Sequence, residues 1–184
     1  MYEIEDFDRI WPEIEPINGW LTKLEGGLLW DAARHTEEGS TIIEVGSFCG
    51  KSTRLLASTG RKVYAVDPLC EEMSVGKQRI GQAMVDSLTA ACEEYQNITW
   101  IREFSNKASV HGPAAMLYVD ALHKYPHPKQ DFEHFLPSLA RRSVIAWHDY
   151  GREYGVTKSI HELIEAGIIG PVTIAGSLFV TYLK

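Results

Sequence analysis

The stretch from Thr41 to Thr53, TIIEVGSFCGKST, constrains the fold of this chain more than any other. An apolar strand carrying Glu44 runs into a turn bounded by Gly46 and Gly50, and a helix start follows. Glycine adopts backbone angles closed to other residues and lets a ligand approach the main chain, while the free N–H groups of a helix start attract polar or anionic atoms. We therefore predict a strand–turn–helix unit that cradles a nucleotide-like ligand, with Ser47 inside the turn.

The spacing of the two glycines shows which known nucleotide-binding motifs the turn can match. A phosphate-binding Walker loop has four residues between its glycines, whereas three separate Gly46 from Gly50, so the loop is one residue short. The dinucleotide fingerprint G-x-G-x-x-G also fails, because Phe48 stands where its second glycine would let a pyrophosphate come close. A ligand without phosphates fits this turn better.

A second strand, KVYAVD, ends at Asp67, 21 residues after Gly46. A carboxylate at such a strand end can accept hydrogen bonds from both hydroxyls of a ribose. The pattern E-x-G-x-x-x-G, with Glu44, Gly46 and Gly50, resembles the first motif of class I S-adenosylmethionine-dependent methyltransferases. The resemblance implies S-adenosylmethionine as the cofactor, with Glu44 at its methionine end or supporting the turn. Ser105, after the third strand, is expected near the adenine.

Strand and helix patterns alternate from residue 41 onward, which is typical of a doubly wound α/β fold. The predicted parallel strands are Thr41 to Val45, Lys62 to Val66, Ile98 to Arg102, Met116 to Asp120 and Ser143 to Trp147. After a helix around Val156 to Ala166, two further strands joined by a Gly-Ser turn predict an antiparallel hairpin. The resemblance completes this pattern as a Rossmann-like, mostly parallel seven-stranded sheet.

The chain of 184 residues, 45% of them hydrophobic, is expected to form one compact domain. Residues 1–40 are predicted to be a helical cap or lid, and residues 41–184 the Rossmann-like methyltransferase domain. In the cap, we expect Trp11, Trp20 and Trp30 to pack into the core rather than to grip a substrate. Some glycines could let part of the cap move: Gly19, Gly26 and Gly27.

Charge and composition limit the classes of partner and the cellular compartment that we expect for this chain. A net charge of −7 and the absence of a basic run argue against nucleic acid as a partner. No apolar run approaches the length that spans a bilayer, so no membrane partner is expected. The N-terminal sequence lacks a signal pattern, and the three cysteines have no metal-binding spacing, so a reduced cytoplasm is expected. The sequence leaves open whether the chain forms a homo-oligomer.

A second set of polar residues follows the fourth and fifth strands. Asp120, His148 and Asp149 offer oxygen and nitrogen ligands suited to Mg²⁺ or Mn²⁺, and Asp120 would also face the cofactor. His123 lies nearby as a proton acceptor. These residues would converge with the glycine turn, because ligands of open α/β sheets bind at the carboxyl ends of the strands. The alternative is that Asp149 caps a turn and His148 is a buried polar residue.

The ordered motifs EVGSFCGKST, AVDP, YVDALHKY, DFEHFLPSL and IAWHDYG are similar to those of small-molecule methyltransferases that share an IDGxHxY pattern and a strand ending in HDY or DDY. This resemblance covers about residues 28 to 184. It implies O-methylation of a small polar metabolite, such as a sugar or natural product. In catalysis without a metal, His123 or His148 would be the base. The chain departs from the subgroup at Ala121 and Leu122, where glycine and a second acidic residue are common, and this puts tight metal binding in doubt.

Two other functions fit the same motifs. A non-catalytic cofactor-binding protein would keep Glu44 and Asp67 and lose the acceptor site. A nucleotide hydrolase would use the GKST segment on phosphates and Asp120 as a metal ligand, but the short loop speaks against it.

Overall fold

A computed structural model describes residues 5–70, 74–75, 78–79 and 81–184 of the chain. Its strands are β1 (Thr41–Val45), β2 (Lys62–Val66), β3 (Ser74–Val75), β4 (Gln78–Arg79), β5 (Ile98–Ile101), β6 (Ala114–Val119), β7 (Leu139–Trp147), β8 (Thr173–Ala175) and β9 (Leu178–Tyr182). Its α-helices are α1 (Glu5–Ile14), α2 (Lys23–Arg34), α3 (Lys51–Ala57), α4 (Gln82–Glu94), α5 (His127–Phe135) and α6 (Tyr154–Glu165). A short 3₁₀ turn, Leu136–Ser138, follows α5.

Seven strands form one sheet in the order β5-β2-β1-β6-β7-β9-β8, and β3 and β4 form a separate small hairpin. The first five strands of the sheet run parallel, whereas β9 is antiparallel to both β7 and β8. The predicted Rossmann-like, mostly parallel seven-stranded sheet with a C-terminal antiparallel hairpin is therefore confirmed.

The central strands are apolar on both sides because helices cover both faces of the sheet. On β1, Ile42 belongs to the core that packs under α1 to α4, and Ile43 belongs to the core under α5 and α6. The same alternation places Tyr118 and Leu117 of β6 on opposite faces. Glu44 shares the face of Ile42, so its carboxyl group points into a core and not into solvent.

The N-terminal segment forms two helices that pack on this core. Trp11 and Trp30 are buried, as predicted, but the prediction for Trp20 is wrong: its side chain is 55% exposed and stacks on Phe48 of the glycine turn. Gly26 lies inside α2, and a Cβ there would come within 2.5 Å of the Trp11 ring. This glycine therefore allows two helices to pack closely, which is a different role from the predicted hinge.

Three strands of the parallel set differ at their ends from the prediction. β5 ends at Ile101 instead of Arg102, β6 spans Ala114–Val119 instead of Met116 to Asp120, and β7 begins at Leu139 instead of Ser143. The pairing of β6 with β7 shifts in register between Ala114 and Met116. The additional residues of β7 lie at this irregularity, and among them Arg141 and Arg142 are exposed. Among the described residues, no helix is both long enough and apolar enough to cross a bilayer.

Candidate active site

The carboxyl ends of four neighbouring strands meet at one edge of the sheet. Val45 of β1 pairs with both Val66 of β2 and Val119 of β6, and Val119 pairs with Trp147 of β7. The residues that follow these four strand ends therefore start level with one another: Gly46, Asp67, Asp120 and His148. Main-chain hydrogen bonds continue the ladder by one step, from Gly46 N to Val66 O at 2.9 Å and from Asp120 N to Val45 O at 2.8 Å. The predicted convergence of the two motifs is confirmed.

Gly46 allows the glycine turn to pack closely against the end of β6. Its φ of 91° lies in the left-handed region, and a Cβ at this position would lie 2.2 Å from the main-chain oxygen of Asp120. Any side chain would push these two strand ends apart. Gly50, with φ of 79°, ends the turn as the N-cap of α3. Between them, Ser47 is buried and Phe48 is partly exposed.

Glu44 supports the glycine turn from inside the core. Its carboxylate accepts hydrogen bonds from the hydroxyls of Ser47 at 2.8 Å and of Ser52 and Thr53 at 2.5 Å. Burial raises the pKa of Glu44 to about 7, against the lowering effect of the three hydroxyls. Of the two predicted roles, this geometry fits support of the turn, because the carboxyl group is fully buried and all its partners belong to the turn and α3.

Asp67 joins the second strand to the glycine turn. Its Oδ2 accepts hydrogen bonds from the main-chain N–H groups of Ser47 and Phe48, and its Oδ1 accepts one from Leu69, each at 2.9 Å. Burial raises the pKa of Asp67 in spite of these three bonds. A carboxylate has about four lone-pair sites and three are used here, so about one remains to accept a hydrogen bond from a ribose. The ribose role stays a prediction.

Asp120, His123 and Asp149 form a cluster suited to a metal ion, with ligand atoms that all lie within 4.8 Å of one another. His123 Nε2 lies 3.3 Å from Asp120 Oδ1 and 3.5 Å from Asp149 Oδ2. The hydrogen bond with Asp120 raises the pKa of His123. Asp149 adopts a positive φ of 60°, and Asp120 also accepts a hydrogen bond from the buried Tyr118 hydroxyl at 3.1 Å.

His148, the predicted third metal ligand, lies behind this cluster and is 2% exposed. Its Nδ1 lies 3.5 Å from Asp120 Oδ1 and 3.4 Å from Asp149 Oδ2, and its Nε2 lies 3.5 Å from Glu25 Oε2. Burial alone would lower the pKa of His148, but the carboxylates of Asp120 and Asp149 raise it to about 11. His123 belongs to the cluster of possible ligand atoms and its side chain is 31% exposed, so the geometry favours His123 over His148 as metal ligand and base. Both roles stay predictions.

Ser105 lies in the turn after β5, as the sequence indicated, and its hydroxyl donates to Asp131 of α5 at 2.6 Å. Its place beside an adenine stays a prediction. Glu25 was not predicted to reach this site. The pattern Thr22-x-x-Glu25 before an apolar run is a capping-box signal, and the structure forms that box, but the pattern does not show that Glu25 also meets Ser177 and His148.

Comparisons with known proteins agree with this architecture. Residues 43–150, more than half of the chain, match the family described as "Methyltransferase domain". The O-methyltransferase of Bacillus cereus in complex with S-adenosylhomocysteine has a TM-score of 0.66 at 13% identity, over 100% of this chain and 93% of that chain. The O-methyltransferase TomG of Streptomyces achromogenes, involved in tomaymycin synthesis and crystallised with S-adenosylmethionine, has a TM-score of 0.67 at 14% identity, over 100% and 91%.

Methyltransferases of other kinds share the fold. A rRNA methylase of Streptococcus thermophilus has a TM-score of 0.61 at 16% identity, over 86% of this chain and 94% of that chain. At such identities, the structural likeness shows the fold alone, whereas the family match extends from the first parallel strand to the HDY motif. From this match and from the seven-stranded sheet, the chain belongs to the methyltransferase domain family.

Proposed function

We propose that this protein transfers a methyl group from S-adenosylmethionine to an oxygen of a small polar metabolite, such as a sugar or a natural product. The observation that carries the proposal is the alignment of strand ends, which places the glycine turn, Asp67 and the Asp120–His123–Asp149 cluster along one edge of the sheet. The family match supports methyl transfer, and relatives of the same fold have been crystallised with S-adenosylmethionine or S-adenosylhomocysteine.

The cofactor half of the site comprises the glycine turn and the end of β2. Gly46, Ser47 and Gly50 would shape the turn around the methionine part, and Asp67 would bind the ribose. Asp67 Oδ2 already orients the turn through the N–H groups of Ser47 and Phe48, so this carboxylate would both build the pocket and contact the cofactor. Ser105, hydrogen-bonded to Asp131, would lie near the adenine.

The acceptor half of the site comprises the cluster at the ends of β6 and β7. In the proposed reaction, an acceptor oxygen takes the methyl group of the sulfonium and loses its own proton. Orientation of the acceptor supplies much of the rate of such a transfer. Without a metal, His123 would receive the proton, since it is the histidine of the cluster that is partly exposed. Alternatively, Asp120, His123 and Asp149 would hold Mg²⁺ or Mn²⁺, which would lower the pKa of an acceptor hydroxyl.

A nucleotide hydrolase is disfavoured by the partners of the GKST segment. Lys51 is buried, and its ammonium group donates to the main-chain oxygen of Glu15 at 3.1 Å. The hydroxyls of Ser52 and Thr53 both donate to Glu44. The three side chains that a Walker-type loop would turn toward phosphates and Mg²⁺ therefore have other partners here.

Two measurements test the acceptor half of the proposal. Wild-type protein incubated with S-adenosylmethionine and a panel of hydroxylated sugars and natural products should form S-adenosylhomocysteine, and His123→Gln should lower the rate with every active acceptor. Failure of the whole panel, with cofactor binding intact, would favour a non-catalytic cofactor-binding protein. Full activity of wild type in chelator would favour metal-free catalysis with a histidine base.

Electron paramagnetic resonance of Mn²⁺ tests the metal site separately. Leu122 stands where the subgroup often has a second acidic residue and its side chain is exposed, so we expect weak binding in the high-micromolar to millimolar range. Asp149→Asn should weaken this binding further, because the amide offers a neutral oxygen in place of a carboxylate. Glu165→Gln, at the exposed end of α6, is the matched control. Equal binding by wild type and Asp149→Asn would remove Asp149 from the site.

A further inference from the structure

The carboxyl group of Glu25 is buried where three distant parts of the chain meet. Its Oε2 accepts hydrogen bonds from the main-chain N–H and the hydroxyl of Thr22, at 3.0 and 2.7 Å. Its Oε1 accepts two more, both at 2.8 Å, from the main-chain N–H and the hydroxyl of Ser177 in the turn between β8 and β9. Glu25 itself is 0% exposed. Although burial alone would raise its pKa, these bonds from Ser177 and Thr22 lower it to about 2.

This degree of burial exceeds what helix capping requires. A capping box needs the glutamate to reach back only to its own N-cap, here Thr22, and it can do so at a solvent-exposed helix end. Taking a carboxylate out of water is costly unless its charge and all its lone pairs find partners. The buried side chain next to this carboxylate is His148, whose Nε2 lies 3.5 Å from Glu25 Oε2 and makes no hydrogen bond among the described residues.

His148 links this carboxylate to two others. Its Nδ1 lies almost equally far from Asp120 Oδ1 and Asp149 Oδ2, at 3.5 and 3.4 Å. The ring therefore lies between Glu25 at one end and the two carboxylates of the acceptor half at the other. His148 therefore contacts all three carboxylates, those of Glu25, Asp120 and Asp149.

We propose that Glu25 is a positioning residue for methyl transfer, which orients the carboxylates of Asp120 and Asp149 through the ring of His148. The inference rests on the proposed function of these two carboxylates. It explains why an anionic side chain from the N-terminal helical segment is buried beside the strand ends. It also gives α2 a part in the acceptor half of the site that packing alone would not require.

Carbon NMR of the carboxyl groups tests this proposal without an acceptor. In Glu25→Gln, the Cγ signals of Asp120 and Asp149 should shift by several linewidths, together with the ring signals of His148. Ser177→Ala is the matched control: it removes one hydrogen bond to Glu25 but leaves the contact between Glu25 and His148, so these signals should stay within a linewidth of wild type. Unchanged Asp120 and Asp149 signals in a folded Glu25→Gln variant would overturn the proposal.

A mutant cycle on stability gives a second readout. Glu25→Gln and Asp149→Asn should be non-additive by roughly fivefold or more in the unfolding equilibrium constant, because both contact His148. In a His148→Gln background the non-additivity should fall to within twofold. Additivity in the presence of His148, or coupling that persists without it, would contradict the proposal. If Glu25→Gln does not fold, His148→Gln should shift the carboxyl signals of Glu25 and Asp149 together, and an unchanged Glu25 signal would overturn the proposal.

Neither the NMR experiment nor the mutant cycle requires cofactor or acceptor. A negative result in either would overturn the role of Glu25 but would not test the proposed methyl transfer, which is measured by S-adenosylhomocysteine formation. Conversely, failure to bind S-adenosylhomocysteine would remove the proposed function and leave the measured coupling intact.

Discussion

At the residue scale, two carboxylates, the buried Glu44 and the half-buried Asp67, support the glycine turn in the cofactor half of the site. Glu44 ties the glycine turn to the first turn of α3, and Asp67 ties the same turn to the end of β2. Both side chains bind their partners within the protein before any ligand arrives. Each substitution at these positions should therefore change folding stability as well as binding, and the two effects can be measured separately.

The raised pKa of Glu44 predicts a pH dependence of stability. The folded value of about 7 lies above the ordinary value of 4.5, so the folded state holds this proton more tightly. Its contribution is fully present below pH 4.5 and is lost as pH rises through about 7. The loss amounts to about 3 kcal/mol, at about 1.4 kcal/mol for each pKa unit. Urea denaturation of wild type and Glu44→Gln should show their stability difference changing by this amount between pH 4.5 and 8, whereas a constant difference would contradict the prediction.

Asp67 should contribute to both affinity and stability. Asp67→Asn should weaken S-adenosylhomocysteine binding by roughly 1.5 to 3 kcal/mol, the scale of hydrogen bonds to a charged group. Because the amide cannot accept from all three N–H groups, we also expect a loss of roughly 1 to 3 kcal/mol in unfolding free energy. Calorimetry and urea denaturation measure the two effects, with the exposed Asp86→Asn as control. Wild-type affinity in the folded variant would refute the ribose assignment.

At the element scale, the parallel strands were predictable because each is a short apolar run that ends in a glycine or a polar residue. β1 and β2 have the predicted bounds. The predicted β7 started four residues late, at Ser143, because Arg141 and Arg142 interrupt the apolar run, although Leu139 before them pairs with Ala114 of β6. The hairpin of β3 and β4 was not predicted, since two-residue strands carry too short a pattern to recognise.

The packing of α6 against the loop after β6 fixes where His123 lies. Gly155 in the first turn of α6 faces that loop, and a Cβ there would lie 2.2 Å from His123 O and 2.3 Å from Tyr125 N. Gly155→Ala should cost roughly 1 to 3 kcal/mol of unfolding free energy, because backbone atoms must move. Gly81→Ala, at a position with open space and φ of −140°, should cost far less. Equal stability of both variants in urea denaturation would contradict this packing.

At the scale of the whole molecule, one rule predicts part of the candidate site from the sequence, and the rest of the site could not be predicted. The rule that ligands bind at the carboxyl ends of parallel strands brought Gly46, Asp67 and Asp120 together correctly from three separated motifs. The rule could not decide whether His123 or His148 is the metal ligand and base, because this choice depends on how exposed each ring is beside the two carboxylates. Nor could it find Glu25, whose partner Ser177 is 152 residues away in the chain. Such contacts depend on the complete fold and leave no local pattern.

The central claim is that the edge formed by these strand ends binds S-adenosylmethionine and not a nucleotide phosphate. A single calorimetry series on the wild-type protein tests it most directly, with S-adenosylmethionine, S-adenosylhomocysteine, ATP and NAD as ligands. We predict binding of the first two at one site per chain and no measurable heat from ATP or NAD, because the turn is too short for phosphates and Lys51 is already bonded to Glu15. Binding of ATP without binding of S-adenosylhomocysteine would contradict the account.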